Sequence, residues 1–236
     1  MKKLIVAVLC LCLLALCACG WGEPEEITVP ATTTAIPTTT EAPTTLPIEY
    51  PANYRDAPEA YKPVLNEFYY QAQNGSSQTG DIYVLEPWFF EMDDLGYAVQ
   101  DINGDGVPEL LLLTKGEYSG FAAEENPFIL TLFTLTNDRP VHLAYYWRRE
   151  RAQLAADGII YFVAGLGGSY SGLRSFQLET GASELTQLTE YHRESGNFYK
   201  GTYGEQSMPE DEFNRLYELY SNPPNPMQLT FIPIEQ

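Results

Sequence analysis

Gly96-Tyr97-Ala98-Val99-Gln100-Asp101-Ile102-Asn103-Gly104-Asp105-Gly106-Val107-Pro108-Glu109-Leu110-Leu111-Leu112-Leu113 is the stretch from which the fold is read. Two apolar, strand-like runs flank a polar loop, Asp101 to Glu109, of the form D-x-N-x-D-G-x-x-E. Oxygen side chains stand at loop positions 1, 3, 5 and 9, with glycine at position 6. A short loop folds in this way around a hard, oxygen-seeking cation.

The loop admits three readings. In the first it is a calcium loop inside a β-hairpin. Asp101, Asp105 and Glu109 supply charge, Asn103 its amide oxygen and Val107 its backbone carbonyl. In the second it is an EF-hand or dockerin loop, which needs an acid at position 12. Leu112 stands there, and Leu95-Gly96-Tyr97-Ala98-Val99 is poor helix material. In the third, Asp105-Gly106 is a plain hairpin turn and the other acids are solvated. Three carboxylates within nine residues repel one another without a cation, which favours the first. Carboxylate and carbonyl donors suit Ca2+ and disfavour zinc and copper.

Outward from the loop, the pattern is helix, many strands, helix, strand. A helix is expected over about Ala57–Gln73, with Asp56 and Glu59 as a capping pair and Pro63 as its weak point. Tyr61, Val64, Leu65, Phe68 and Ala72 share its apolar face. Trp88, Phe89 and Phe90 pack the domain. Strands follow at 127–136, 141–147, 152–155, 159–164, 174–178, 185–191 and 198–203, with turns at Asn137-Asp138 and Asp157-Gly158. A second helix runs from about Met208 to Tyr220 behind a Ser207/Glu210 capping box, and Gln228–Ile232 closes as a strand. The expected class is α+β: one main antiparallel sheet, a meander, with an N-terminal and a C-terminal helix.

The ends of the chain place this domain. Lys2 and Lys3 precede an apolar run from Leu4 to Ala18, too short for a comfortable membrane span. The run ends in Leu16-Cys17-Ala18-Cys19-Gly20. This resembles the lipobox of bacterial lipoproteins, in which the cysteine, here Cys19, receives lipid and becomes the mature N-terminus. Cys17 departs mildly from the usual small or hydroxyl residue at its position. Residues 1–19 are then a lipoprotein signal peptide. Residues 20–50 are a disordered Thr/Pro-rich linker, with Thr-Thr-Thr at 32–34 and 38–40, and residues 51–236 a single domain. At roughly 3 Å per residue the linker reaches on the order of 90 Å. The expected location is the extracellular face of the cell membrane, anchored through acylated Cys19.

All four cysteines, at 10, 12, 17 and 19, fall in the signal segment, so the folded part has no disulfide framework. The chain carries a net charge of −19, and without Lys2 and Lys3 there are 11 basic against 32 acidic residues. Such a chain should be repelled by nucleic acid and by anionic lipid head groups, so neither is expected as a partner.

The loop resembles those of FG-GAP and VCBS-type repeats, which bind calcium at strand-to-strand turns. With a single copy, the resemblance implies the metal role for Asp101, Asn103, Asp105, Val107 and Glu109, not a propeller. Over about residues 57–236 the chain also looks like a group of uncharacterised Gram-positive surface lipoproteins. In these, a helix like Ala60-Tyr61-Lys62-Pro63-Val64-Leu65 precedes a strand and a D-x-[DN]-G-D-G-x-P-E-L loop. That likeness implies no activity.

No catalytic arrangement is recognisable. Gly165-Leu166-Gly167-Gly168-Ser169-Tyr170-Ser171-Gly172 lacks the Lys-Ser/Thr of a phosphate loop. No serine sits in G-x-S-x-G. His142 and His192 have no zinc-ligand neighbours in sequence. Arg148-Arg149-Glu150-Arg151 is a basic cluster that either pairs with its acidic surroundings or meets an anionic ligand. The expected function is a calcium-stabilised binding or interaction module for an unknown extracellular ligand. The alternative is a cell-envelope hydrolase acting on a glycan through an acidic pair.

Overall fold

Four leucines in a row form the centre of the fold. The strand that holds them, Glu109–Thr114, is buried along its whole length. Successive strand side chains point to opposite faces, so Leu110 and Leu112 enter one core while Leu111 and Leu113 enter another. A strand apolar on both faces needs a layer on each side of its sheet, and the domain supplies both.

The structure is a computed structural model. It describes Tyr54 and residues 57–80, 90–115, 127–146, 149–165, 170–201 and 206–234. The strands among them are β1 (Leu95–Gln100), β2 (Glu109–Thr114), β3 (Phe128–Thr136), β4 (Arg139–Tyr145), β5 (Glu150–Leu154) and β6 (Ile159–Ala164), then β7 (Tyr170–Leu178), β8 (Leu185–Glu194), β9 (Asn197–Lys200), β10 (Gln206–Ser207) and β11 (Ile232–Pro233). The helices are α1 (Lys62–Asn74) and α2 (Glu210–Ser221). All strand pairs are antiparallel, in two sheets of order β11-β1-β2-β3-β4 and β10-β9-β8-β7-β6-β5. The single sheet expected from the sequence is thus two.

These elements stack in four layers. Tyr61, Val64, Leu65 and Phe68 bring α1 against Tyr97, Leu110, Leu112 and Phe133 of the first sheet. Its other face, with Ala98, Leu111, Leu113, Ile129 and Leu132, meets Ala152, Leu154, Ile160, Phe162 and Leu178 of the second sheet. Val163 and Leu173 on the far side of that sheet pack with Phe213 and Tyr220 of α2. Each buried leucine contributes about 1.5–3 kcal/mol. In β3 a bulge between its pairings to Leu112 and Leu113 lets Leu130 and Phe133 face α1 while Ile129 and Leu132 face the second sheet.

The helix ends differ from expectation. A 3-10 turn, Glu59–Tyr61, precedes α1, and Pro63 sits in the first turn of the helix, where its missing N–H costs nothing. No side chain caps that end, and Asp56 lies outside the described residues. Gly75, at φ +66°, closes α1 in the left-handed conformation. Ser207 does not cap α2, because it pairs with Tyr199 in the β9–β10 ladder and Pro209 precedes the helix. Glu210, Asp211 and Glu212 instead place negative charge on its first turn. The closing strand shortens from Gln228–Ile232 to Ile232–Pro233, paired with Tyr97 and Gly96. The signal segment, the linker, Cys19, Trp88, Phe89, Trp147, Arg148 and residues 166–169 lie outside the described residues. No helix among the described residues is long and apolar enough to cross a membrane.

Candidate metal loop

The loop is the connection between β1 and β2, closed by the Gln100–Glu109 pair. Its own side chains wind it. The two carboxylate oxygens of Asp101 accept the N–H groups of Gly104 and Gly106, at 2.8 and 2.9 Å. Asn103 Oδ1 accepts the Asp105 N–H at 3.2 Å, and Asp105 Oδ1 accepts the Val107 N–H at 2.8 Å. Short Asp and Asn side chains favour such local bonds to the backbone, which is why this spacing makes a loop rather than a longer hairpin ladder. Gly104 and Gly106 have φ of +75° and +87°, a conformation that residues with a Cβ adopt at a cost.

Other layers hold the loop from outside. Asp105 Oδ2 accepts the Gly181 N–H at 3.0 Å, and Asn103 Nδ2 donates to the Glu179 carbonyl at 3.3 Å. Both partners lie in the turn between β7 and β8, in the second sheet. The Tyr61 hydroxyl, at the start of α1, donates to the Pro108 carbonyl at 2.9 Å. The β5–β6 turn presses on the loop as well, since a Cβ at Gly158 would lie 2.7 Å from the Ile102 carbonyl oxygen. Ile102 itself is buried between the sheets.

Glu109 is fully buried. Its Oε2 accepts the Ile102 N–H at 3.0 Å and its Oε1 accepts the Thr134 hydroxyl at 2.9 Å. Burial pushes its pKa up, the Ile102 and Thr134 donors oppose that rise, and the negative charges of Asp105 and Asp101 add to it. Asp105 goes the other way: the N–H groups of Gly181 and Val107 hold its carboxyl below the usual range. Tyr61 is raised by burial first and by the Glu109 charge second.

Separate donors to each carboxylate offset part of the expected crowding of Asp101, Asp105 and Glu109, and the charges of Asp105 and Asp101 are still felt at Glu109. Among the described residues no three His, Cys, Asp or Glu side chains gather as a group that could hold a metal ion. The donor chemistry nevertheless fits a hard cation. An ionised carboxylate has about four acceptor positions. Asp101 and Glu109 each use two and Asp105 uses three. Each keeps acceptor capacity, beside the Asn103 amide oxygen and the backbone carbonyl of Val107.

Comparison of the chain with protein-family models, with characterised proteins and with solved structures finds no match. The assignment of the loop rests on its residues and geometry.

The remaining sequence candidates are dispersed. Arg149 is exposed, whereas Arg151 is buried with its guanidinium over the Phe128 ring at 4.5 Å, so these two arginines make no continuous basic patch. His142 stacks on Tyr145 at 5.6 Å. His192 is buried in a row between Tyr170 and Tyr199. Gly172 lies within β7, paired with Ala164 and His192. The residues missed by sequence reasoning are Tyr61, Thr134, Gly158, Glu179 and Gly181. Each meets the loop from a distant part of the chain, and only the glycines carried a local signal, as turn formers.

Proposed function

We propose that residues 51–236 are a calcium-stabilised binding or interaction domain, a sheet-rich body bracketed by an early and a late helix. The Thr/Pro-rich linker displays it outside the cell on lipid-modified Cys19. One observation carries the calcium assignment. The Asp101–Glu109 loop presents ordered oxygen donors at the point where α1 and both sheets meet. A cation there adds a tie between layers that also share apolar cores, so binding is linked to folding. The resemblance to FG-GAP and VCBS-type loops and to Gram-positive surface lipoproteins supports the same reading.

Calorimetry of the full chain in detergent tests it. At a calcium concentration one hundred times Kd, the folded state gains about 2.7 kcal/mol, or about 5–10 °C in Tm for a domain of this size. EDTA reverses the gain and Asp101→Ala abolishes it. If isothermal titration shows no binding at millimolar calcium, the loop is a structural turn only. For the anchor, Cys19→Ala releases the protein from membranes or blocks its processing. Persistence on the membrane at the mature size refutes lipidation.

A second reading, a hydrolase acting on a glycan, has one observation in its favour: Glu150 and Glu184 line the same cleft, away from the loop. Such a pair acts as acid and base or nucleophile only at a defined separation. Release of reducing ends from oligosaccharides, lost in Glu150→Gln, would establish it.

A further inference from the structure

The cleft that Glu150 and Glu184 share lies where the end of β4 meets the second sheet, and its volume is about 470 Å³. That is within the range of small-ligand sites. We propose that it is a saccharide-binding site that takes a short neutral glycan. This rests on the reading of the domain as a binding module and names its ligand class.

The cleft has an apolar side and a polar side. Tyr145 stands half-exposed at its edge, stacked on His142 with the rings nearly parallel. Behind it Tyr146, Phe162 and Phe176 form one aromatic group, with ring centroids 5.3 Å apart for the first pair and 6.2 Å for the second. Flat rings offer a surface for the C–H face of a pyranose. On the polar side Glu150 and Glu184 supply acceptors and Arg174 supplies donors. The Arg174 Nε is bonded to Glu190 at 3.1 Å, and its terminal N–H groups have no hydrogen bond among the described residues. Sugar hydroxyls both donate and accept, so they match a lining that mixes the two.

Independently, the Tyr146 hydroxyl is buried and has no hydrogen-bond partner among the described residues. Tyr146 lines the cleft and is 6% exposed. A buried phenol left unbonded costs about 1–3 kcal/mol. A hydroxylated ligand supplies the missing partner once the Tyr146 ring tips toward the cleft that it lines.

Charge selects against the other occupants. The net charge of −19 and the two cleft carboxylates repel phosphates, nucleotides and acidic sugars. A cationic peptide meets the positive charge of Arg174, whose guanidinium lies over Phe162 at 5.8 Å from its centre. A neutral ligand meets neither obstacle.

The test is isothermal titration of the full chain in detergent with hexasaccharides of N-acetylglucosamine and of glucose, and separately with tetralysine. Saturable binding of at least one saccharide is expected. Tyr145→Ala should weaken it at least about tenfold, and Tyr146→Phe about three- to tenfold. Neither variant should lose the calcium-dependent rise in Tm, which shows that both fold. If neither saccharide binds, or if binding is unchanged in both variants, the proposal fails. Tetralysine binding that Tyr145→Ala removes, without a saccharide response, also overturns it and makes the cleft a cationic-peptide site. Saccharide bound and then cleaved, with new reducing ends appearing over hours, upholds the cleft as a glycan site and overturns the binding-module reading instead.

Discussion

Two hairpins in this domain turn on Asp-Gly, and they are built to different depths. In the β5–β6 turn the work is local: Asp157 Oδ1 accepts the Ile159 N–H two residues on, at 3.1 Å, and Gly158 supplies the left-handed φ of +80°. In the β1–β2 loop, Asp105-Gly106 is one piece of a longer structure. Asp101 spans five residues to reach Gly106, Asp105 crosses to the other sheet at Gly181, and Glu109 returns into the core to hold Ile102 and Thr134. The same dipeptide is a turn in one place and a junction in the other. What separates them is the number of distant donors that converge on the carboxylates.

The largest effect that checks this difference belongs to Glu109. Glu109→Ala leaves the Ile102 N–H and the Thr134 hydroxyl buried without their acceptor. It should cost about 2–4 kcal/mol in urea unfolding with EDTA present. The double variant with Thr134→Val should cost less than the sum of the singles, because the second change removes one of the orphaned donors. Full additivity would mean that the two side chains do not act together.

Next comes Gly158→Ala. Here the simple turn touches the elaborate one through backbone. The new methyl meets the Ile102 carbonyl at 2.7 Å, in a conformation that disfavours any Cβ. A loss of about 1–3 kcal/mol is expected in the same unfolding measurement. A smaller loss would show that the β5–β6 turn can swing away from the loop. Asp105→Ala ranks below it. The bonds to Gly181, Val107 and Asn103 disappear from a partly exposed group, for about 1 kcal/mol. If the loop binds calcium as proposed, the stronger signature of this variant should be loss of the calcium response.

These ranks also show how far the sequence could be read. The Asn137-Asp138 turn was legible because both residues take a positive φ, of 53° and 58°, which two-residue hairpin turns demand and Asn and Asp tolerate. The apolar face of α2 was legible at Phe213 and Tyr220 because helical spacing is local. The second sheet was not. The apolar run Ile159–Ala164 behind the Asp157-Gly158 turn marks a strand but not its outer neighbour, and the passage from β4 to β5 carries no signal that the chain changes sheets. The four leucines from 110 to 113 marked a strand, and only its two partners, α1 on one side and the second sheet on the other, explain why both faces are apolar. In the loop, the oxygen donors were visible from spacing. The direction of Glu109 was not, because its partner Thr134 lies 25 residues away. The cleft around Tyr146 is assembled from five strand ends and turns, beyond the reach of any motif.

The smallest effect is Asp157→Ala, and its smallness is informative. Asp157 makes one local bond from an exposed position. Water can replace that acceptor for the Ile159 N–H, so the loss should be about 0.5 kcal/mol or less. Gly158 still provides the turn, and its contact with Ile102 is untouched. The calcium-dependent rise in Tm should therefore equal that of the unaltered protein. Asp157 does stand beside Asn103 and Glu179 around a polar hollow next to the loop. If Asp157→Ala reduces the calcium response as Asp105→Ala does, the cation sits in that hollow between the two turns. The site would then belong to both hairpins rather than to the β1–β2 loop alone. A full response in Asp157→Ala, together with none in Asp105→Ala, confines the cation to the donors that the Asp101–Glu109 loop itself supplies.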